Sequence, residues 1–207
     1  MAVSDSALQV IMPSCNHDKR ALYLPFINAS MSEFDISTPL REAAFLSQLA
    51  HESSELTHWV ENLNYSAKRL TQVWPNRFPT IAAAVPFANN PKALAEKTYG
   101  GRMGNNQPGD GYKFRGRFPL QITGGDLYRK ASLALNIPEL ASNPDALTND
   151  PATGFRVSAW VFAVEKGCNP LADVGDIKGI TRKINGGLNG LAEREAYYAR
   201  ARKVLGA

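Results

Sequence analysis

Small and apolar side chains recur at helical spacing along residues 40–53, LREAAFLSQLAHES. The positions that form this packing face are Leu40, Ala43, Ala44, Ser47 and Ala50. Intervals of three and four residues predict a helix with one buried face. Thr38 followed by Pro39 places an N-cap and a proline where a helix should begin.

Similar boundary signals occur along the rest of the chain and divide it into helices. The capping residues, prolines and glycines that mark these boundaries are Ser66, Pro75, Asn90-Pro91, Gly124-Gly125, Asp150-Pro151, Gly167 and Gly206. They predict further helices beginning at Ala67, Pro91, Asp126, Pro151 and Leu191. No run alternates convincingly between apolar and polar residues, so the pattern predicts a mainly α fold.

Residues 100–118 interrupt this helical pattern with a segment rich in Gly, Asn and Arg. A segment of that length without regular structure is long for a compact domain, and such loops are usually functional or disordered. Tyr99, Tyr112 and Phe114 in and beside it favour an ordered wall for a substrate. No internal repeat or clear domain boundary is visible, so we predict a single domain over residues 1–207 with no separate binding domain.

The amino-acid composition is typical of a soluble, mildly basic protein. Of the 207 residues, 44% are hydrophobic and 20% charged, as in ordinary globular proteins, and no apolar stretch is long enough to predict stable membrane insertion. The net charge of +4 favours polyanionic partners without selecting one. The cations near the C-terminus form either a solvated helix face or a surface attracted to an anionic cell envelope. They are Arg182, Lys183, Arg194, Arg200, Arg202 and Lys203.

The N-terminal residues 1–14 have no basic leader, so we expect no cleaved secretion signal and synthesis in the cytoplasm. Cytoplasmic synthesis favours free thiols at Cys15 and Cys168. Residues 51–55, HESSE, resemble the zinc motif H-E-x-x-H but carry Glu55 in place of the second histidine. No nucleophile elbow or phosphate-binding loop is present either, so we predict no metal and no cofactor.

Residues 50–66, AHESSELTHWVENLNYS, concentrate carboxylates. Glu52 lies at the end of the small-residue helix, where packing would partly desolvate it, and desolvation raises a carboxyl pKa towards the range that suits a general acid. Glu61 follows nine positions later, half a turn out of phase on a continuous helix. If both serve one site, the helix must end between them, and the two carboxylates would then line opposite walls of a cleft, as glycoside hydrolysis requires. Glu55 is interpreted as a solvated surface charge.

Several unrelated strings then occur in one order: LAHESSEL, VENLNYSAKRLTQVWPNRFP, YGGRMGN, DGYKFRGRFPLQITGGDLY and INGGLNG. Together they resemble the family 19 glycoside hydrolases, which are chitinase-like, and most of all the compact bacteriophage endolysins. The resemblance runs from about Thr38 to the C-terminus. It implies a two-lobed, lysozyme-like helical fold with a cleft, a small-lobe insertion at roughly residues 60–115, and inverting hydrolysis by single displacement. One departure is Gly116-Arg117-Phe118, where many relatives read G-R-G, and Phe118 is expected to alter a subsite.

The resemblance also implies roles for individual residues. Glu52 matches the general acid, Glu61 matches the base of the endolysin branch, and Thr123 matches the hydroxyl that holds the attacking water. From the residues alone, Thr123 is equally a helix N-cap. The positions that match or suit substrate-binding groups are Gln121, Asn185, Tyr65, Tyr99 and Arg194, and Arg194 matches the basic residue near the acid. Asn185 is equally a turn residue, and the aromatic rings, with Trp59, are more often part of the core than of a sugar site.

Three functions follow as hypotheses. The first is an endolysin that cuts β-1,4 bonds in peptidoglycan glycan strands, acting as a monomer on the cell wall after release from the host cytoplasm, without a nucleic-acid partner. The second is a bacterial chitinase that acts on chitin oligomers. The third is a non-catalytic, basic cell-wall-binding module, which would give Glu52 no role and make binding strongly salt-sensitive.

Overall fold

The computed structural model describes residues 2–207 and is built almost entirely from helices. The α-helices are α1 Asp5–Ile11, α2 His17–Glu33, α3 Pro39–Glu52, α4 Ala67–Val73, α5 Ile81–Ala84, α6 Pro91–Tyr99, α7 Asp110–Lys113, α8 Gly125–Leu135, α9 Glu139–Ser142, α10 Pro151–Trp160, α11 Asn169–Asp173, α12 Ile177–Asn185 and α13 Leu191–Leu205. Short 3₁₀ turns cover Val85–Phe87 and Pro144–Leu147. Within the described residues, β structure is limited to isolated antiparallel bridges of Arg117 with Val60 and with Ile122. The predicted mainly α fold is confirmed.

The capping residues read from the sequence lie where helices begin. The side chains of Thr38, Ser66, Asn90 and Asp150 each accept a hydrogen bond from the backbone N–H three residues later, at 3.0–3.3 Å. Such bonds satisfy donors that the first turn of a helix leaves unpaired. The helix that begins at Pro151 is less regular than expected, because α10 gives way to a π-helical turn at Val161–Glu165 before the chain reaches Gly167.

The chain divides into two compact units. Unit 1 comprises the described residues up to Trp59 together with Phe118–Gln121 and Thr148–Ala207, and unit 2 comprises Val60–Arg117 and Ile122–Leu147. The expected single catalytic domain with an insertion at about residues 60–115 stays a prediction. Among residues 2–207, none of the helices is both long enough and apolar enough to span a bilayer.

The core of unit 1 is organised around α3, which packs against α13. The predicted face of α3 is fully buried at Ala43, Ala44, Ser47 and Ala50, and half-buried at Leu40. Small side chains on this face permit close approach of the neighbouring helix. The core is extended by α1, which packs on α13, and by α2, which packs on α10; the sequence pattern did not predict α1 or α2.

Trp59 belongs to this core, because only 8% of it is exposed and its ring lies 5.2 Å from the rings of Tyr23 and Phe155. A Cβ at Gly154 would lie 2.6 Å from Cζ3 of the Trp59 indole, so the glycine makes room for the ring. Cys15 and Cys168 are also buried here, as free thiols.

Unit 2 has a smaller core of its own. Its buried members are Leu63, Leu70, Phe78, Ala84, Leu94 and Ala95, and partly buried aromatic rings pack against them, including Tyr65, Trp74 and Tyr99. The segment at residues 100–118 belongs mostly to this unit and is ordered, but it is not wholly irregular, since it contains α7. The Asn105 side chain orders it further by donating to the Tyr99 carbonyl (3.0 Å) and accepting from the Gly125 N–H (2.8 Å).

Phe118 is fully buried in a left-handed backbone conformation, with φ of +71°. It therefore fills the core and presents no surface to a subsite, contrary to expectation. A bulky residue in this region is strained, and glycine is not, which fits the glycine that the family motif has here.

Replacing Phe118 should destabilise the fold to different degrees in two variants. Phe118→Ala should cost about 3–5 kcal/mol of unfolding free energy, since it leaves a cavity and keeps the strain. Phe118→Gly should cost about 1 kcal/mol less, because glycine adopts positive φ freely. Urea unfolding followed by circular dichroism measures both. A glycine variant less stable than the alanine variant would contradict the backbone strain inferred at this position.

Candidate active site

Glu52 is the last residue of α3 and pairs with Arg194 of α13. The carboxylate oxygen Oε1 accepts a short hydrogen bond from Nη2 of Arg194, and 24% of the Glu52 side chain remains exposed. Desolvation of Glu52 is therefore only partial. Arg194 is 1% exposed and is no part of a solvated cationic face. An unpaired cation at such depth would be costly, and Glu52 supplies its counter-charge.

Two further contacts fix the guanidinium of Arg194. Its Nη1 donates to Oε1 of Gln48 at 2.5 Å, and its Nε donates to the Asn189 carbonyl at 3.4 Å. Gln48 lies four residues before Glu52, on the same face of α3, so helical spacing was a signal for this residue that the sequence analysis did not use. The result is a Gln48–Arg194–Glu52 array that orients the Glu52 carboxylate.

A left-handed turn ends α3 immediately after Glu52. Ser54, Glu55 and Leu56 have φ of +48°, +54° and +67°. The Ser53 hydroxyl stabilises the turn by donating to the Leu49 carbonyl (2.6 Å) and accepting from the Leu56 N–H (2.8 Å). The helix thus ends between Glu52 and Glu61, as the nine-residue spacing required.

The interpretation of Glu55 as a solvated charge is wrong. Only 7% of Glu55 is exposed, because the left-handed turn directs its side chain inward. Its carboxylate accepts hydrogen bonds from the Ser14 N–H (2.5 Å) and from the Tyr197 hydroxyl (2.9 Å). Burial, and secondarily this bond, raises the pKa of Tyr197 to about 12. Glu55 therefore anchors the turn that follows Glu52.

His51 packs beside a carboxylate and His58 forms a hydrogen bond, so these two histidines have structural contacts. Nδ1 of His51 lies 2.8 Å from Oε2 of Glu193. The His51 ring also packs on Gly190, where a Cβ would lie 2.2 Å from its Cε1 atom. Nδ1 of His58 lies 3.1 Å from the Thr57 hydroxyl. Over residues 2–207, no group of three or more His, Cys, Asp or Glu side chains is arranged to hold a metal ion.

Glu61 lies in unit 2, in the extended stretch that precedes α4. Oε2 accepts a hydrogen bond from the Tyr99 hydroxyl (2.6 Å), and Oε1 accepts one from the Gly116 N–H (2.5 Å). The Glu61 N–H in turn donates to the Gly116 carbonyl at 3.0 Å. Burial, and secondarily the bond to Glu61, raises the pKa of Tyr99 well above its usual range. In unit 2, Tyr99 therefore acts on Glu61 as a hydrogen-bond donor.

Thr123 does not cap α8. The residue at the N-cap position is Gly124, which makes no side-chain cap, and the helix begins at Gly125. The alternative of a helix cap is therefore wrong. Within residues 2–207 the structure gives the half-buried Thr123 hydroxyl no hydrogen-bond partner, so it is free to bind a water or a ligand.

The remaining predicted substrate-binding residues differ in their surroundings. Asn185 is the last residue of α12, and its Nδ2 atom is buried without a hydrogen-bond partner. Such a donor is costly unless something supplies an acceptor. Gln121 is exposed, and Tyr65 is half-buried against the Trp74 ring, with centroids 5.4 Å apart. Their roles in binding stay predictions.

The fold is helical, with one carboxylate paired to an arginine and another held by a tyrosine. The sequence is 32% identical to a "glycosyl hydrolase family 19 domain-containing protein" of Haemophilus influenzae over 202 residues, which are 96% of this chain and 94% of that protein. The chain belongs to glycosyl hydrolase family 19. The resemblance to the family 19 glycoside hydrolases is confirmed, and so is the prediction of a glycoside hydrolase. No family model matches the chain.

Other similarities are to chitinases. The chain is 31% identical to Chitinase 8 of Oryza sativa subsp. japonica over 119 residues, 45% of each protein. Chitinase C of Streptomyces griseus HUT6037 has a similar structure, with a TM-score of 0.67 at 20% identity, covering 100% of this chain and 93% of that one. A bacterial family 19 chitinase gives a TM-score of 0.64 at 24% identity, covering 100% and 96%. These structures confirm the lysozyme-like helical fold.

Proposed function

We propose that this enzyme hydrolyses β-1,4 bonds in the glycan strands of bacterial peptidoglycan by an inverting single displacement. The observation that carries the proposal is the contrast between its two carboxylates. Glu52 is paired with a buried arginine, whereas Glu61 is held by two neutral donors and has no cation within 4.0 Å among the described residues. Carboxylates in contrasting environments are suited to separate acid and base roles, and the motif match assigns the acid to Glu52 and the base to Glu61.

In this proposal Glu52, when protonated, gives its proton to the oxygen of the leaving sugar as the bond from that oxygen to the anomeric carbon breaks. A water attacks the anomeric carbon from the opposite face and gives its proton to Glu61. Solvent then returns a proton to Glu52 and removes one from Glu61. No covalent intermediate with the enzyme forms, so the product is the α-anomer.

The supporting residues have distinct roles in the proposal. Tyr99 and the Gly116 N–H hold Glu61 in place, and the Gln48–Arg194 pair holds Glu52. The free hydroxyl of Thr123 holds the attacking water. Gln121 and the buried amide of Asn185 bind hydroxyl or N-acetyl groups of the sugars, and Tyr65 contributes an aromatic face.

The biological setting that we propose is bacterial lysis by an endolysin that accumulates in the host cytoplasm and acts on the cell wall after release. The net charge of +4 suits an anionic envelope, and the motif resemblance to compact endolysins points the same way. The competing substrate is chitin, since the relatives include proteins named as chitinases. Membership of a hydrolase family disfavours the non-catalytic binding module.

Two measurements test this function. Mass spectrometry of fragments from purified peptidoglycan, with chitin oligomers in parallel, identifies the bond that is cut and the sugar that carries the new reducing end. NMR of the first-formed product from a β-linked oligomer identifies its anomer. An initial α-anomer supports a water-activating role for Glu61, whereas an initial β-anomer excludes it. Cleavage of chitin without cleavage of peptidoglycan would select the chitinase alternative.

Replacing Thr123 with valine should lower kcat more than it raises KM. Valine keeps the shape of the side chain but removes the hydroxyl that would hold the attacking water, and a positioned hydrogen bond of this kind is worth about tenfold in rate. Steady-state kinetics on a soluble oligomer separate the two constants. A variant with unchanged kcat and a lower melting temperature would instead assign Thr123 a structural role.

A further inference from the structure

Unit 2 contains a concave surface that the proposed mechanism does not use. It lies beside the C-terminal end of α4 and one face of α6, has a volume of about 620 Å³, and is called here the Trp74 cavity. That volume is within the range of pockets that bind small ligands or sugar-sized groups. The residues lining it are Val73, Trp74, Pro75, Asn76, Arg77 and Lys97.

The charged side chains that line the Trp74 cavity are positive. Arg77 and Lys97 line it, and no acidic residue does. Among residues 2–207, neither cation has a carboxylate oxygen within 4.0 Å, although most arginines of this chain are paired with one. Glu96, the sequence neighbour of Lys97, accepts instead from the Tyr112 N–H at 3.1 Å. Lys97 lies over the Phe87 ring at 5.9 Å, so neither cation is neutralised by an anion among the described residues, and two such cations in one cavity favour an anionic ligand.

A second cavity in the same unit differs in this respect. It has a volume of about 650 Å³ and is lined by Lys92 and Lys113 together with Glu96 and Asp145. Asp145 already accepts from Arg115 and Arg117. Its charges are mixed, so it gives no preference for an anion. The preference is specific to the Trp74 cavity.

The Trp74 ring packs against the same core as Tyr99, the residue that donates to Glu61. The Trp74 ring packs against Tyr65 at 5.4 Å and faces Phe78 at 6.5 Å, so the indole is held in place. Tyr65 packs on the same core as Tyr99, whose hydroxyl donates to Glu61. Arg77 is close enough to Tyr99 that its charge opposes the rise in the pKa of that phenol. The cavity therefore shares its core and the charge of Arg77 with Tyr99, the tyrosine that supports Glu61.

We propose that the Trp74 cavity binds a carboxylate carried by a substituent of the glycan, which makes the enzyme prefer peptidoglycan to chitin. This inference rests on the proposed function. Every sugar of chitin is neutral. In peptidoglycan, every second sugar carries a lactyl ether, either as a free carboxylate or extended by a peptide that ends in carboxylates. Arg77 and Lys97 pair with such a carboxylate, and Trp74 supplies an apolar wall for the group that carries it.

Calorimetric binding to the Glu52→Gln protein tests this inference without turnover. The ligands are soluble peptidoglycan strands with their peptides, the same strands after an amidase has exposed the lactyl carboxylate, and a chitin hexamer. Adding Arg77→Gln or Lys97→Gln should weaken binding of an anionic strand about 3- to 10-fold more than binding of the hexamer, since both cations are partly solvated. A loss seen with both strand types assigns the lactyl carboxylate, and a loss confined to intact strands assigns the peptide.

The matched control is Lys68→Gln, which removes an exposed cation of α4 that does not line the cavity. It should change strand and hexamer affinity equally, within about twofold. Equal losses for strands and hexamer in the Arg77 and Lys97 variants, or no loss for either strand type, would overturn the proposal. Turnover of peptidoglycan by the unmodified enzyme tests the proposed function separately, so failure of the one is distinguishable from failure of the other.

Discussion

The Glu52→Gln variant is expected to lose about 10²- to 10⁴-fold in kcat while remaining folded, because an amide cannot supply the proton that the leaving oxygen needs. Glutamine keeps the size of the side chain, and its carbonyl oxygen still accepts a hydrogen bond from Arg194. Lysis of permeabilised Gram-negative cells and hydrolysis of a soluble oligomer both measure the effect. Near-normal turnover in a correctly folded variant would remove Glu52 from the mechanism.

The control for this variant is Glu195→Gln. Glu195 is an exposed residue of α13, in the same unit as Glu52. The chemical change is identical, and neither kcat nor the melting temperature should change appreciably. Loss of activity in both variants would point to the net charge of the protein, since each substitution raises it by one. Loss in Glu52→Gln alone isolates the proton donor.

The Gln48–Arg194–Glu52 array gives a reason to expect that Glu52→Gln folds. Arg194 is 1% exposed and would lose its carboxylate partner, which is a costly change for a buried cation. Its contacts with the Gln48 side chain and the Asn189 carbonyl remain, however, and the 24% exposure of residue 52 leaves access to water. We therefore expect a lower melting temperature but a native fold, which circular dichroism verifies.

Much of the fold could be predicted because its signals are local. Thr38, Ser66, Asn90 and Asp150 cap helices through bonds to residues only three positions away, so the chain itself carries the information. The α2 helix was missed because its apolar residues do not concentrate on one face and Pro25 lies inside it. A helix of that kind is stabilised by tertiary packing, in this case against α10.

The site was predictable only in part, because its contacts join residues that lie far apart in the chain. Glu55 reads as a surface charge, yet its partners Ser14 and Tyr197 lie 41 and 142 residues away in the chain. Arg194 reads as one of several C-terminal cations, and its burial beside Glu52 depends on the packing of α13 against α3. The motif resemblance assigned roles to Glu52 and Arg194, but the contacts that fix them required the structure.

Replacing Glu61 is expected to lower kcat as much as replacing Glu52. The two variants should differ in their response to added azide. Glu61→Gln should lower kcat about 10²- to 10⁴-fold, because an amide does not accept the proton of the attacking water. The amide oxygen still accepts from the Gly116 N–H, and the Tyr99 hydroxyl, which now faces the amide NH₂, rotates to accept from it. The Tyr99→Phe variant, which removes only this hydroxyl, should lose about tenfold by leaving the Glu61 carboxylate less well held.

Added azide distinguishes a base from a residue that merely supports the fold. Azide is already an anion and needs no base, so at high concentration it should restore bond cleavage in Glu61→Gln but not in Glu52→Gln, which still lacks the proton donor. Attack from the face that water would use inverts a β-linked substrate, so the product should be an α-glycosyl azide, identified by NMR. A β-glycosyl azide would mean that two inversions occur in succession through a covalent intermediate, and it would exclude direct displacement by water. If azide does not restore activity and the melting temperature falls, Glu61 is not the base. Its role is then structural, through its bonds to Tyr99 and Gly116 within unit 2.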